Sequence, residues 1–90
     1  MFGIVWLDDD LNVVDRFGSL VGFVATGRPV GEVLLPLLGL DSQLRALRRT
    51  PRRSLDIPNV SINLGDAQSP RININVYWSR NERRYIVLAS

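Results

Sequence analysis

Ninety residues, 46% hydrophobic and 22% charged, make one globular domain with a single core, too short for a second and too apolar for a disordered tail. Eleven arginines against nine acids leave a net charge of +2, too mild to imply nucleic acid, and no apolar run approaches the ~20 residues of a membrane-spanning helix. The lack of cysteine, histidine and lysine removes disulfides, thiolate metal sites, thiol nucleophiles and imidazole or amine bases.

The chain opens at Met1-Phe2-Gly3 without the basic region or cleavage site of a secretory leader, and a cytoplasmic setting is expected, with which the zero cysteine count is compatible. Gly3-Ile-Val-Trp-Leu-Asp8, rich in β-branched and aromatic residues, reads as a buried strand. Asp8-Asp9-Asp10-Leu11-Asn12 breaks it, because Asp and Asn side chains bond nearby backbone and tolerate left-handed conformations. Val13-Val14-Asp15-Arg16 returns as a second strand and closes a hairpin. The three aspartates lack the Gly and Glu of a calcium loop, so they read as a turn.

From Phe17 the apolar spacing changes. Phe17, Leu20, Val21 and Val24 stand at i, i+3, i+4 and i+7, a helical stripe weakened by Gly18 and Gly22. After Gly27-Arg28-Pro29, residues Val30, Val33, Leu34, Leu37 and Leu38 form the best helical stripe in the chain. Pro36 should bend that helix or end it near Leu35, and Gly39 suits a C-terminal cap. A short helix follows, capped by Asp41 or Ser42, with Leu40, Leu44 and Leu47 on one side, and it stops before Pro51. Arg45, Arg48, Arg49, Arg52 and Arg53 crowd its end. They read as cations that offset the helix dipole and face water, with a partner or phosphate contact as the alternative.

Strand character returns over residues 54–64, where Leu55, Ile57, Val60, Ile62 and Leu64 alternate with polar residues around Pro58, an edge-strand or bulge signature. Residues 65–70 form a turn. In the final stretch Ile72, Ile74, Val76 and Trp78 alternate with Asn73, Asn75 and Tyr77, then a charged turn leads to the apolar run Tyr85-Ile-Val-Leu-Ala89. Two groups of hairpin-linked strands around a helical middle indicate an α+β fold, a five-stranded antiparallel sheet with short helices packed on one face.

Three segments in this order resemble a PAS domain, across essentially the whole chain. Gly3-Ile-Val-Trp-Leu-Asp-Asp-Asp-Leu-Asn-Val-Val14 is similar to that family's first strand, acidic turn and second strand. Gly27-Arg-Pro-Val-Gly-Glu-Val-Leu34 resembles the glycine-led entry into its long helix, and residues 71–89 look like its fourth and fifth strands. The resemblance implies a sensory or regulatory input domain of a multidomain bacterial signalling protein, such as a sensor histidine kinase, relaying signals through dimerisation. Residues 1–90 would be a single domain excised from, or N-terminal in, such a chain, with its effector domain in the same parent chain. The chain departs from the cofactor-bearing branches. Without cysteine it lacks the adduct former of the photoactive flavin branch, and without histidine the usual haem ligand, so neither cofactor is expected.

Catalysis is not expected either, since no acid pair or phosphate loop accompanies the missing groups. Two functions remain. A sensor would hold a small apolar ligand between helices and sheet, against Leu34, Leu37, Leu38, Ile62, Ile74, Val76 and Trp78, although apolar residues at these periods are core by default. A ligand-free protein–protein interaction and dimerisation module would use an exposed face instead. The first and last strands are apolar on both faces, through Ile4, Val5, Trp6 and Leu7 and through Tyr85, Ile86, Val87 and Leu88, and the resemblance makes these strands central neighbours. A homodimer across one of those faces is therefore expected. Nucleic acid is not, because no aromatic interleaves with the arginines.

Overall fold

The computed structural model describes residues 3–18, 24–50, 53–61 and 71–90. Its five strands are β1 (Gly3–Leu7), β2 (Val13–Gly18), β3 (Ser54–Ser61), β4 (Arg71–Ser79) and β5 (Arg84–Ala89). Between β2 and β3 lie the short helices α1 (Val30–Val33) and α2 (Asp41–Ala46), separated by a single 3₁₀ turn over Leu35–Leu37. All pairings are antiparallel in one open sheet of order β2-β1-β5-β4-β3. The fold is α+β.

The acidic turn is built by its first residue. Asp8 Oδ1 accepts hydrogen bonds from the backbone N–H groups of Asp10 and Asn12, both at 2.9 Å, and Leu11 takes a left-handed conformation with φ 66°. Leu11 is then placed to accept at its carbonyl from the Val30 N–H, while the Val13 N–H donates to the Arg28 carbonyl. These bonds fasten the entry of α1 to the start of β2.

β2 is longer than its sequence suggests. The strand runs through Phe17 to Gly18, so Phe17 pairs with Ile4 rather than beginning a helix; Leu20 and Val21 of that expected stripe lie outside the described residues, and Val24 is buried. A register shift opposite Trp6 and Leu7 explains the difference, since it inserts an extra residue and reverses the inward parity after Val13. The helix after Pro29 ends before Pro36, close to the stop expected near Leu35. α1 makes one turn, Leu34 leaves helical geometry at φ −125° and ψ 88°, and the chain resumes as 3₁₀ around Pro36, which has no N–H to give and disfavours the α conformation before it. Gly39, at φ +82°, makes the turn into α2, and Leu38 is left 64% exposed.

The core lies between one face of the sheet and the helical segment. From the sheet come Val5, Leu7, Val13, Ile72, Ile74, Val76, Trp78, Tyr85, Val87 and Ala89; from the helical side come Val24, Val30, Leu34, Leu37, Leu44 and Leu47. Cross-strand rows such as Val5–Val87–Val76–Leu55 carry it through four strands. At the β3 edge a bulge falls between Ile57 and Val60, with Asn59 left-handed at φ 54° beside Pro58, and the Asn59 N–H donates to Asn73 Oδ1 at 2.9 Å.

Candidate interaction face and arginine pocket

Strand parity divides the eight residues expected at a dimer interface. Val5, Leu7, Tyr85 and Val87 point into the core, which takes them away from any outer surface. Ile4, Trp6, Ile86 and Leu88 point the other way. Their pairings place Ile4 beside Leu88 and Trp6 beside Ile86, and the same two rows continue to Phe17 on β2 and to Tyr77 on β4. The outer face thus carries a contiguous apolar patch centred on β1 and β5. Phe17 is 61% exposed, whereas Ile86 is 7% exposed and lies outside the core cluster.

The rim of this face is polar and balanced in charge. Asp15 on β2 and Asp56 on β3 carry negative charge, and Arg71 on β4 and Arg84 on β5 carry positive charge, all at outward parity. Asn75 Nδ2 donates to Asp56 Oδ1 within it. Neither Phe17, which the sequence places on a helical stripe, nor Tyr77 stood out as part of an apolar sheet face. The shifted register hid the first, and the second alternates with core residues among asparagines.

The pocket candidates divide as well. Leu34, Leu37, Ile74 and Val76 are completely packed in the core, Leu38 is turned to solvent and so leaves the set, and Ile62 lies outside the described residues. Trp78 sits at the margin of the core, and a second constellation gathers there. Its ring meets Tyr85 edge-on, with centroids 4.8 Å apart at 66°, and the Arg48 guanidinium lies 4.8 Å above its centroid. The latter contact is worth about 0.5–1 kcal/mol at an exposed site. Arg48 also lies 3.9 Å from Asp9, a long and exposed ion pair of small energetic value.

Arg45 in the last turn of α2, with Arg48 and Arg49 in the turn that follows it, line an open cavity of about 420 Å³. Leu44 and Leu47 take the opposite, buried side. Tyr85 is fully buried, and its hydroxyl has no hydrogen-bond partner among the described residues, an omission that costs about 1–3 kcal/mol. Burial pushes the Tyr85 phenol above the ordinary tyrosine range; the Arg48 and Arg45 guanidiniums pull it down, and Asp9 adds to the rise. Sequence reading saw the arginines without their aromatic partner, because Arg48, in the turn after α2, meets Trp78 only in the fold.

Among the described residues no helix is long and apolar enough to cross a membrane, and no three acidic groups gather where a metal ion would be held. No protein-family model matches this chain, and no curated protein matches it.

Proposed function

We propose that this chain is a non-catalytic, cytoplasmic interaction domain of a multidomain signalling protein, PAS-like in build, that dimerises through the outer face of its sheet. The observation that carries the reading is the apolar patch of Phe17, Ile4, Leu88, Trp6, Ile86 and Tyr77, on a face with no helix over it among the described residues. Support for the PAS-like frame comes from the element order and from β1 lying against β5, as the resemblance implies. A second copy of the chain is the occupant that fits. The rim carries two acids and two arginines, so an isologous two-fold contact brings no one-sided charge against itself. Five strands about 4.8 Å apart and about 20 Å long give a flat footprint of roughly 480 Å² before side-chain relief, commensurate with the ~800 Å² of accessible surface per partner in a standard interface. An apolar centre inside a polar rim is also the ordinary anatomy of such contacts.

The ligand-free version of this function is favoured over a sensor with a ligand buried between helices and sheet, because Leu34, Leu37, Ile74 and Val76 already fill that space with their own side chains. In a bacterial sensor histidine kinase such a module would pass a rearrangement at the dimer contact to an output domain in the same chain. Native mass spectrometry of freshly expressed domain tests both halves. The expected species is two chains with no added mass. A monomer carrying a stoichiometric small molecule would overturn the reading.

A further inference from the structure

We propose that two copies of the chain meet about a two-fold axis running along the strands between β1 and β5, so that β1 of each copy lies over β5 of the other, with the register set by Asp15 against Tyr77 and Asp8 against Arg84. This inference rests on the self-association proposed above and names the geometry of that contact. Strand pairing arranges the outer face in rows. From β2 to β3 the first runs Phe17–Ile4–Leu88–Asn75–Asp56 and the second Asp15–Trp6–Ile86–Tyr77–Ser54. In the third, one residue beyond the Leu7–Tyr85 pair, Asp8 falls opposite Arg84, which pairs on its other side with Ser79.

Symmetry leaves few ways to lay this face on itself. Twisted sheets follow one another's surface over a broad area when their strands run aligned, and the axis of an isologous contact then lies either along the strands or across them. An axis along the strands between β1 and β5, at the centre of the patch, exchanges β1 with β5 and β2 with β4 within each row. Trp6 then covers Ile86 and Ile4 covers Leu88, each twice, which joins the apolar centres. At the rim Asp15 receives the Tyr77 hydroxyl as a donor, and Arg84 meets Asp8, a charge-assisted contact. In both acids the backbone hydrogen bonds fall on Oδ1, from Arg16 to Asp15 and from Asp10 and Asn12 to Asp8, so Oδ2 is the oxygen offered. An axis across the strands, midway between the first two rows, instead sets Asp15 over the Phe17 ring and Arg84 over Ser90. It presses a carboxylate on an aromatic ring and gives the arginine no acid. Among the described residues Arg84 has no ion pair within its own chain, the two present being Arg28–Glu32 and Arg48–Asp9.

The chain has no cysteine, so thiol cross-linking reads the register directly. Asp15→Cys and Tyr77→Cys are prepared separately, checked for folding by circular dichroism and for self-association by light scattering, mixed, and treated with a short bis-maleimide. The mixture should give a covalent dimer containing one chain of each kind, while either variant alone gives little, because like positions stand about three strand spacings, ~14 Å, apart across the axis. Arg84→Glu sets two acids against each other twice per dimer and should weaken association about tenfold in low salt, with the difference from wild type shrinking as salt rises. A dimer in which Asp15→Cys joins Phe17→Cys instead of Tyr77→Cys, or in which neither mixture cross-links, would overturn the register while leaving self-association standing. A monomeric wild type would overturn the reading beneath it.

Discussion

Val87 and Leu88 are neighbours on β5 and should respond oppositely to the same substitution. Val87 is fully buried between Val5 and Val76, whereas Leu88 is half-buried on the outer face between Ile4 and Asn75. Arginine in place of Val87 forfeits ~1.5–3 kcal/mol of apolar burial and places an unpaired guanidinium in the core at a further cost of several kcal/mol. Against a total stability of roughly 5–15 kcal/mol for a domain of this kind, that sum leaves little or no folded protein. At Leu88 the arginine stem can lie along Ile4 while its head reaches water, so the fold should lose under ~1 kcal/mol, or at most ~4–8 °C in Tm. The dimer should nevertheless be lost, because each copy would press a charge against the apolar centre of the other. Thermal and denaturant unfolding followed by circular dichroism, with size-exclusion chromatography and light scattering, reads both quantities. A folded Val87→Arg together with an unfolded Leu88→Arg would show that the parity, and with it the interface, is assigned to the wrong face.

Gly39→Ala should cost about 1–2 kcal/mol, because at φ +82° the penalty is conformational while an added Cβ meets nothing within 4 Å; denaturant melts compared with wild type measure it. Asp8→Ala removes the acceptor of two backbone hydrogen bonds and should destabilise the domain by about 1–2 kcal/mol, and Asp8→Asn, which keeps the carbonyl oxygen, should restore most of the loss. Alkaline unfolding should report Tyr85. Its folded pKa is raised above that of the unfolded chain, so the stability it contributes is complete below the unfolded value of about 10 and is lost as pH rises through the folded one. Urea melts from neutral to strongly alkaline pH should show this decline in wild type and less of it in Tyr85→Phe.

Where side-chain period and backbone chemistry agreed, the sequence was easy to read. The alternation of Ile72, Ile74, Val76 and Trp78 is the buried face of β4 as it stands, and Leu44 in α2 and Leu47 just past its end are both buried. The stop that Pro36 imposes near Leu35 was also legible. Reading failed at positions decided by one residue of register or by the geometry past that stop: the bulge in β2 turned Phe17 from a presumed helical residue into part of a sheet surface, and Leu38, placed on the helical stripe, came out exposed. Strands apolar on both faces could not reveal which face was inward, because that depends on where the helices lie. The Arg48–Trp78–Tyr85 cluster was illegible for a different reason. Its members are about thirty residues or more apart in the chain, apart from the hairpin pair Trp78 and Tyr85, and no local pattern announces that the turn after α2 sets Arg48 over Trp78.

The outer face as a self-association surface is tested most directly by following backbone and side-chain NMR signals while the wild-type domain is diluted from sub-millimolar to low micromolar concentration. The expected result is a concentration-dependent shift confined to Phe17, Ile4, Trp6, Tyr77, Ile86 and Leu88 and their amides, accompanied by faster tumbling on dilution, with Leu34, Leu37 and Val76 unmoved. Monomer tumbling at every concentration with no shift on that face would contradict it.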